Sequence, residues 1–380
     1  MTKPLIMTTR AGPADGADQA VAADQAVAAD QAVATDQADA TDQADAVDQV
    51  DAVDAAAFDA TRRRLLVAPV AAGSVALFGG RRVLAQFDPG STLRIGYQKS
   101  STLVAILKAQ GALERTFQPL GLRVTWHEFT SGLPLLEALN LDNLDFSADV
   151  ADTVPVFAQA AGARLTYVAQ EAPSPAAQAI LVRADSRVAT VADLKGRKVG
   201  FAKAAGAHYL LIAALGNAGL SFRNIEPKYL TPADGRAAFE TGAIDAWVVW
   251  DPFLAAAQRQ AGARILADGT AIASYQRYYL ASTRYAQARP DVLRLLYAEL
   301  DRIGRWVRQQ PREAAELLAP IWGLDVPTVI QANERRSYRV RPVVREALAE
   351  QQRIADAFLA EKLLPRRIDA LDVARFEPAT

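Results

Sequence analysis

From Leu93 onward, short apolar runs of strand character alternate with stretches whose apolar residues recur at helical spacing. The runs 93–97, 123–129, 144–148 and 165–170 predict strands, separated by helical patterns over 103–116, 133–140 and 154–161. After the link Ala172-Pro173-Ser174-Pro175 the rhythm restarts, with strands at 179–182, 198–201, 227–230 and 246–249. A helical turn at 191–195 and helices at 209–218 and 233–241 lie between them. Strand-like runs at 265–266 and 278–281 follow, and the pattern is then helical to the end, broken at Pro290, Pro311, Pro327 and Pro342. Such a βαβ rhythm implies a mainly parallel sheet with helices on its faces. The expected fold class is α/β: two lobes joined by two extended crossings, with a helical C-terminal tail on the first lobe. Residues 91–173 and 275–380 are assigned to that lobe, and 174–274 to the second.

The first 85 residues break this rhythm. Residues 17–54 repeat with a period of six, as A-D-Q-A-V-A three times and then as aspartate-richer variants. With almost no large apolar side chains, this stretch cannot bury enough surface to offset the entropy of ordering it. Residues 1–60 are therefore expected to form a disordered acidic leader. Thr61-Arg62-Arg63-Arg64-Leu65-Leu66 opens an apolar run that ends in Arg81-Arg82-Val83-Leu84-Ala85. A basic segment, an apolar segment and a Val-x-Ala site read as an export signal at 61–85, cleaved after Ala85. Its paired arginines fit the twin-arginine type, and an ordinary secretory signal with several basic residues is the alternative. The expected location is the periplasm.

Charge sharpens this division and excludes some functions. Residues 1–60 hold twelve aspartates against Lys3 and Arg10, whereas the chain from Gln86 holds 35 basic and 31 acidic residues. A folded part so close to neutral lacks the basic face that nucleic acid requires. The chain has no cysteine, so a disulfide framework, a thiolate nucleophile and Cys-ligated zinc are all excluded. Its two histidines, His127 and His208, are too few for a multi-histidine metal site, and no metal or cofactor is expected. Neither G-x-S-x-G nor a phosphate-loop pattern occurs where it would matter, and no catalytic residue is assigned.

Candidate chemistry gathers at turns where a strand runs into a helix, the edge of an α/β sheet at which ligands bind. Gln98, Ser100, Ser101 and Thr102 precede the first helix, so their amides and hydroxyls can converge on an oxyanion. Thr130-Ser131-Gly132 and the segment from Asp149 to Thr153 precede the next two. In the second lobe, Gly206 permits close backbone approach. His208 can donate to a ligand or interact only with its own turn, and the residues leave both open. Trp250 and Asp251 end the apolar run 246–249, with Pro252 expected to start a helix. For each turn, simple N-capping is the alternative, and for Trp250 the alternative is core filling.

Six blocks carry a resemblance: R-I-G-Y-Q-K at 94–99, P-L-L-E-A-L-N at 134–140, P-V-F-A-Q-A-A-G-A at 155–163, V-A-D-L-K-G-R-K-V-G-F at 191–201, T-P-A-D-G-R-A-A-F at 231–239 and D-A-W-V-V-W-D-P-F at 245–253. Over residues 93–369 the chain resembles the aliphatic sulfonate-binding proteins of ATP-binding-cassette (ABC) importers. The resemblance implies a periplasmic-binding-protein fold of type II, monomeric, whose lobes close on a small organic anion and present it to a membrane permease. The family's ligand-contacting turns fall here on Gln98, Ser100 to Thr102, Asp152, Gly206 with His208, and Trp250-Asp251; its late arginine falls on Arg335. Taurine, nitrate or a heteroaromatic ligand are the alternatives within the binding class. A desulfinase of the superfamily uses a cysteine that this chain lacks, and a pyrimidine-forming relative fits poorly with an export signal. Two departures stand out. The family's G-S-T-G-D is S-A-D-V-A-D at 147–152, and its F-Q-K-G-S-S-x-H is F-A-K-A-A-G-A-H at 201–208. Lost hydroxyls predict a less polar pocket, and Asp149, if it faces in, would oppose a sulfonate and favour a ligand carrying an amine.

Overall fold

The computed structural model describes residues 91–378, so the acidic leader and the export signal expected at 1–60 and 61–85 lie outside the described residues. In chain order the first lobe begins with β1 (Thr92–Gln98), α1 (Thr102–Ala109), α2 (Ala112–Phe117), β2 (Arg123–Phe129), α3 (Gly132–Asn140), β3 (Phe146–Ala151), α4 (Thr153–Ala160) and β4 (Leu165–Glu171). The second lobe contains β5 (Gln178–Val182), β6 (Lys198–Phe201), α5 (Gly206–Asn217), β7 (Glu226–Tyr229), α6 (Pro232–Glu240), β8 (Ala246–Trp250), α7 (Phe253–Gln260) and β9 (Arg264–Asp268). The chain then returns through β10 (Arg277–Ser282), α8 (Thr283–Ala288), α9 (Pro290–Gln309), α10 (Pro311–Trp322), α11 (Val326–Glu334), β11 (Val340–Arg341), α12 (Leu348–Ala360) and β12 (Ala374–Arg375).

Both sheets follow one plan. The first runs β11-β4-β10-β3-β1-β2, with β12 also on β4, and the second runs β7-β6-β8-β5-β9. In each, three parallel strands meet a strand that has just arrived from the other lobe and lies antiparallel: β10 beside β3 and β4, β5 beside β8 and β9. The carboxyl ends of β1, β3, β6 and β8 therefore feed turns toward the junction between the lobes. At that junction the two crossings lie side by side, with the Ser174 amide donating to Ser274 O (3.1 Å) and the Gly269 amide to Pro175 O (3.1 Å). A segment of the tail joins them: Ala172 N donates to Arg339 O at 3.0 Å, and Ser337 N to Ser174 Oγ at 2.9 Å.

The fold is the expected one, with local differences that have simple causes. The helix expected over 103–116 is two helices, because Gly111 takes a left-handed φ of +58° between them. Pro290, Pro311 and Pro327 do not merely interrupt helices but stand in their first turns, where a missing N–H costs nothing. The helix expected to start at Pro252 starts at Phe253, after a cis Asp251–Pro252 bond. The strands β11 and β12 are too short to show any periodicity in the sequence. They complete the edge of the first sheet on β4.

Helix α12 binds the lobes together. It packs on α4 of the first lobe and α5 of the second. Phe358 meets Phe157 of α4 edge-on at 4.9 Å and the His208 ring of α5 at 4.8 Å. The tail also fixes α9 closely, since a Cβ built on Gly304 would lie 2.5 Å from the Tyr338 carbonyl oxygen. Gly304→Ala should therefore lower the unfolding free energy by about 1–2 kcal/mol, overpacking outweighing about 1 kcal/mol of helix propensity. Urea denaturation with unchanged m-value would check it.

Candidate functional site

Four of the predicted residues sit in one tight turn. Ser101 N donates to Gln98 O (2.8 Å) and Gln98 N donates to Ser101 Oγ (3.2 Å), so the β1–α1 connection closes on itself. Gln98 Nε2 reaches Asp149 O at 3.3 Å, tying this turn to β3. Thr102 faces the tail, its hydroxyl 3.1 Å from that of Tyr338, which donates to Asn333 Oδ1. Asp152 caps α4: its carboxylate accepts from Thr153 N (3.0 Å) and from Gln276 N (2.9 Å) on the returning crossing. Gly132 opens α3 for a packing reason, since a Cβ there would lie 2.8 Å from Val154 Cγ2.

The second lobe meets these turns directly. Trp250 ends β8 and its indole N–H donates to Ser100 Oγ across the cleft at 3.3 Å. Phe253 stands edge-on to it at 5.9 Å, and Trp250 itself is buried in the core. Gly206 opens α5 where a Cβ would come within 2.6 Å of the Tyr275 ring and 3.1 Å of Ala151 Cβ. Any larger residue would push α5 away from the crossing and from β3. Outside this contact a cavity of about 360 Å³ lies between the lobes, lined among others by Gln98, Ser100, Thr130, Thr231 and Phe253.

Two predicted residues stand elsewhere. The His208 ring lies among Phe201, Phe222, Tyr229 and Phe358, 4.6–6.0 Å between ring centres, and its Nδ1 accepts from Ala204 N at 3.3 Å. Burial, helped by Lys203, pushes its pKa down to about 3, so the ring is neutral and packs as an aromatic. Arg335 pairs with protein rather than open space: Nη1 lies 3.0 and 3.1 Å from the two Asp251 carboxylate oxygens, and Nη2 donates to Gln258 Oε1.

A third predicted residue, Asp149, also meets protein, in a cluster with Arg277, Arg336 and Glu171, which sequence reasoning passed over. Asp149 is fully buried in β3, where its carboxylate accepts from Arg277 Nε and from Arg336 Nη2 (3.2 Å). Arg336 continues to Glu171 Oε2 at 2.9 Å, and Arg277 Nη1 donates to the Tyr275 hydroxyl at 2.8 Å. Two cations and two carboxylates thus balance. Asp149 is not a bare negative charge, which removes the reason to expect an amine-bearing ligand. A usable signal was present: Arg277 in Q-R-Y-Y-L-A and Asp149 in S-A-D-V-A are lone charges inside apolar strands, which fold stably only when paired.

Comparison with known proteins bears on what these turns are for. The NMT1/THI5-like family profile matches residues 117–314. An aliphatic sulfonates-binding protein of Escherichia coli (strain K12) is 41% identical over 288 residues, 76% of this chain and 89% of its own length. Another, from Bacillus subtilis (strain 168), is 31% identical over 74% of this chain and 85% of its own. The structure of the alkanesulfonate-binding protein SsuA from Xanthomonas axonopodis pv. citri, bound to MOPS, superposes with a TM-score of 0.72 at 38% identity, covering 75% of this chain and 98% of that one. This chain belongs to the aliphatic sulfonate-binding proteins, within the NMT1/THI5-like family. Against the family's F-Q-K-G-S-S-x-H pattern, Ala204 occupies the glycine position with a left-handed φ of +59°, and Gly206 replaces a serine at the closest approach of the lobes. Among the described residues, no group of three or more side chains is placed to hold a metal ion, and no helix is long and apolar enough to cross a membrane.

Two cleft carboxylates have displaced acidities. Burial pushes Asp152 up to about 7 against the pull of its two backbone donors, and burial pushes Asp251 up to about 7 against the pull of Arg335. A carboxyl whose folded pKa exceeds its unfolded value binds its proton more tightly when folded. Its stabilisation is complete below about pH 4 and is lost as pH rises toward 7, at up to about 1.4 kcal/mol per pH unit for each group. Chemical denaturation between pH 5 and pH 7 should show stability falling with pH. Asp152→Asn should be less stable throughout, because its amide sets a donor against a backbone N–H, yet its slope should be flatter by about 1 kcal/mol per pH unit.

Proposed function

We propose that this chain is an extracytoplasmic solute-binding protein that holds an alkanesulfonate between its two lobes and presents it to an ABC-type import permease. The observation that carries the reading is the convergence of the α1, α4 and α5 amino-terminal turns with the Trp250–Ser100 contact. Helix amino termini offer N–H groups and positive dipole ends to an anionic head, while Trp250 and Phe253 offer an apolar wall to a carbon chain. Family membership supports the ligand class, since the relatives are named for sulfonates. No reaction is needed: a ligand that touches both lobes favours the closed form by its differential affinity, and the permease reads that form. The absence of cysteine speaks against desulfinase-type chemistry on this scaffold. Within this reading the crossings near 173–174 and 274–275 are the hinge, Gln98 and Ser100 to Thr102 serve the head group, and the protein acts as a periplasmic monomer.

Isothermal titration of the protein from Gln86 onward, against alkanesulfonates of increasing length, taurine, nitrate and an arylsulfonate, tests the assignment. Saturable heat with alkanesulfonates and no release of sulfite is expected; silence with every sulfonate would end the sulfonate reading, and heat with nitrate alone would replace it. Trp250→Ala should weaken long-chain ligands by about tenfold or more, and methanesulfonate far less, because the lost term is apolar contact. An equal loss at all lengths would count against Trp250 as the chain wall.

A further inference from the structure

Arg335 and Arg336 are consecutive, yet their guanidinium groups run into opposite lobes. Arg335 reaches the second lobe, with Nη1 3.0 and 3.1 Å from the Asp251 oxygens and Nη2 on Gln258 of α7. Arg336 reaches the first lobe, with Nη2 3.2 Å from Asp149 of β3 and 2.9 Å from Glu171 of β4. Each arm ends one step from the cleft. Asp251 directly follows Trp250, whose indole donates to Ser100, and the Asp149 carbonyl accepts from Gln98 Nε2.

The segment that follows the two arginines is tied to the end of the first lobe and to the crossing that leaves it. Ser337 N donates to Ser174 Oγ (2.9 Å), Ser337 Oγ donates to Ala172 O (2.6 Å), and Tyr338 is buried. Tyr338 also takes a left-handed φ of +47°, a backbone state that a bulky side chain holds only where its surroundings impose it. Arg336 is buried with its partners, whereas the Arg335 side chain keeps 16% of its exposure against 2% for Asp251. The first-lobe arm is therefore permanent structure, and the second-lobe arm lies where solvent can enter if the lobes part.

We propose that Arg335 is a positioning residue for ligand retention: anchored to the first lobe through Arg336, it draws the Trp250-Asp251 turn of the second lobe onto the β1–α1 turn and so sets how long the cleft stays shut. This rests on the ligand-trapping reading above. It reassigns Arg335 from an anion contact to a contact between lobes. The pair with Asp251 is weakened when the second lobe swings away, so its energy goes to the closed form alone, which is the condition for a contact to shift a two-state equilibrium. Loss of the pair should act on dissociation more than on association, because the encounter surfaces of the open form are unchanged.

The test uses the absence of native cysteine, which lets two introduced cysteines be labelled cleanly. Leu141 in the first lobe and Asp185 in the second are exposed and suit a Leu141→Cys, Asp185→Cys donor–acceptor pair. Ligand-free interlobe distance and hexanesulfonate dissociation rate are measured at pH 8 for the parent, Arg335→Gln, Asp251→Asn, the double variant and Arg335→Lys. Each single variant should shift the ligand-free distribution toward open and speed dissociation about tenfold, with association changed less than threefold. The double variant should be no worse than the worse single variant, and Arg335→Lys should recover part of the loss. Parent-like distance and dissociation in both single variants would overturn the proposal, as would additive effects in the double variant. Arg335→Lys, which keeps the charge, guards against a variant that fails to fold. If the parent retains no sulfonate, the ligand reading fails, while the ligand-free distances still decide the role of Arg335.

Discussion

A carboxylate with no access to water must find cations, and Asp149 in the third strand of the first sheet is such a group. Its partners come from far along the chain. Arg277 arrives on the strand that returns from the second lobe, and Arg336 arrives at the end of α11. Removing either would leave an uncompensated buried charge, a loss of about 3–5 kcal/mol for pairs of this kind. The requirement to neutralise Asp149 therefore places the returning crossing and the tail segment against the floor of the cleft. Tyr275, Gln276, Ser337 and Tyr338 are carried there with them.

That floor shapes the cleft. The Gln276 amide caps Asp152, Tyr275 fixes how near α5 can come, and Tyr338 holds Thr102 and Asn333. Where the family pattern supplies glycine and serine, this chain has Ala204, Ala205 and Gly206, so the second lobe offers backbone amides with fewer hydroxyls beside them. On the proposed function, hydrogen bonding there would fall to the helix end rather than to side chains, and apolar contact from Trp250 and Phe253 would carry more of the recognition.

Contacts between the lobes divide into two kinds. Helix α12 packs on α4 and α5 through Phe358, Phe157 and His208, a dry aromatic contact with little directional demand. The Arg335–Asp251 pair and the Trp250–Ser100 hydrogen bond are directional and are weakened quickly by rotation. An apolar contact at α12 combined with polar contacts at the cleft suits the opening and closing without unfolding that the proposed function requires.

Much was legible along the chain because it depends on local pattern. Alternating strand and helix periods gave two lobes, and strand-to-helix turns gave Gln98, Ser100, Asp152, Gly206 and Trp250 as residues near the junction. Those signals are local because a strand end and a helix start are specified within a few residues. Other features required the fold in three dimensions. His208 packs in an aromatic cluster, Arg335 meets Asp251, and Asp149 is neutralised by Arg277 and Arg336, separated from it by 128 and 187 positions. Charge pairing and ring packing depend on distance in space, and spacing in the sequence does not encode which distant arginine reaches a buried carboxylate. The sequence by itself determined the α/β lobes and the edge at which a ligand would sit; the tertiary structure decided which charges face that edge and which are spent on each other, because only folding brings the partners within reach.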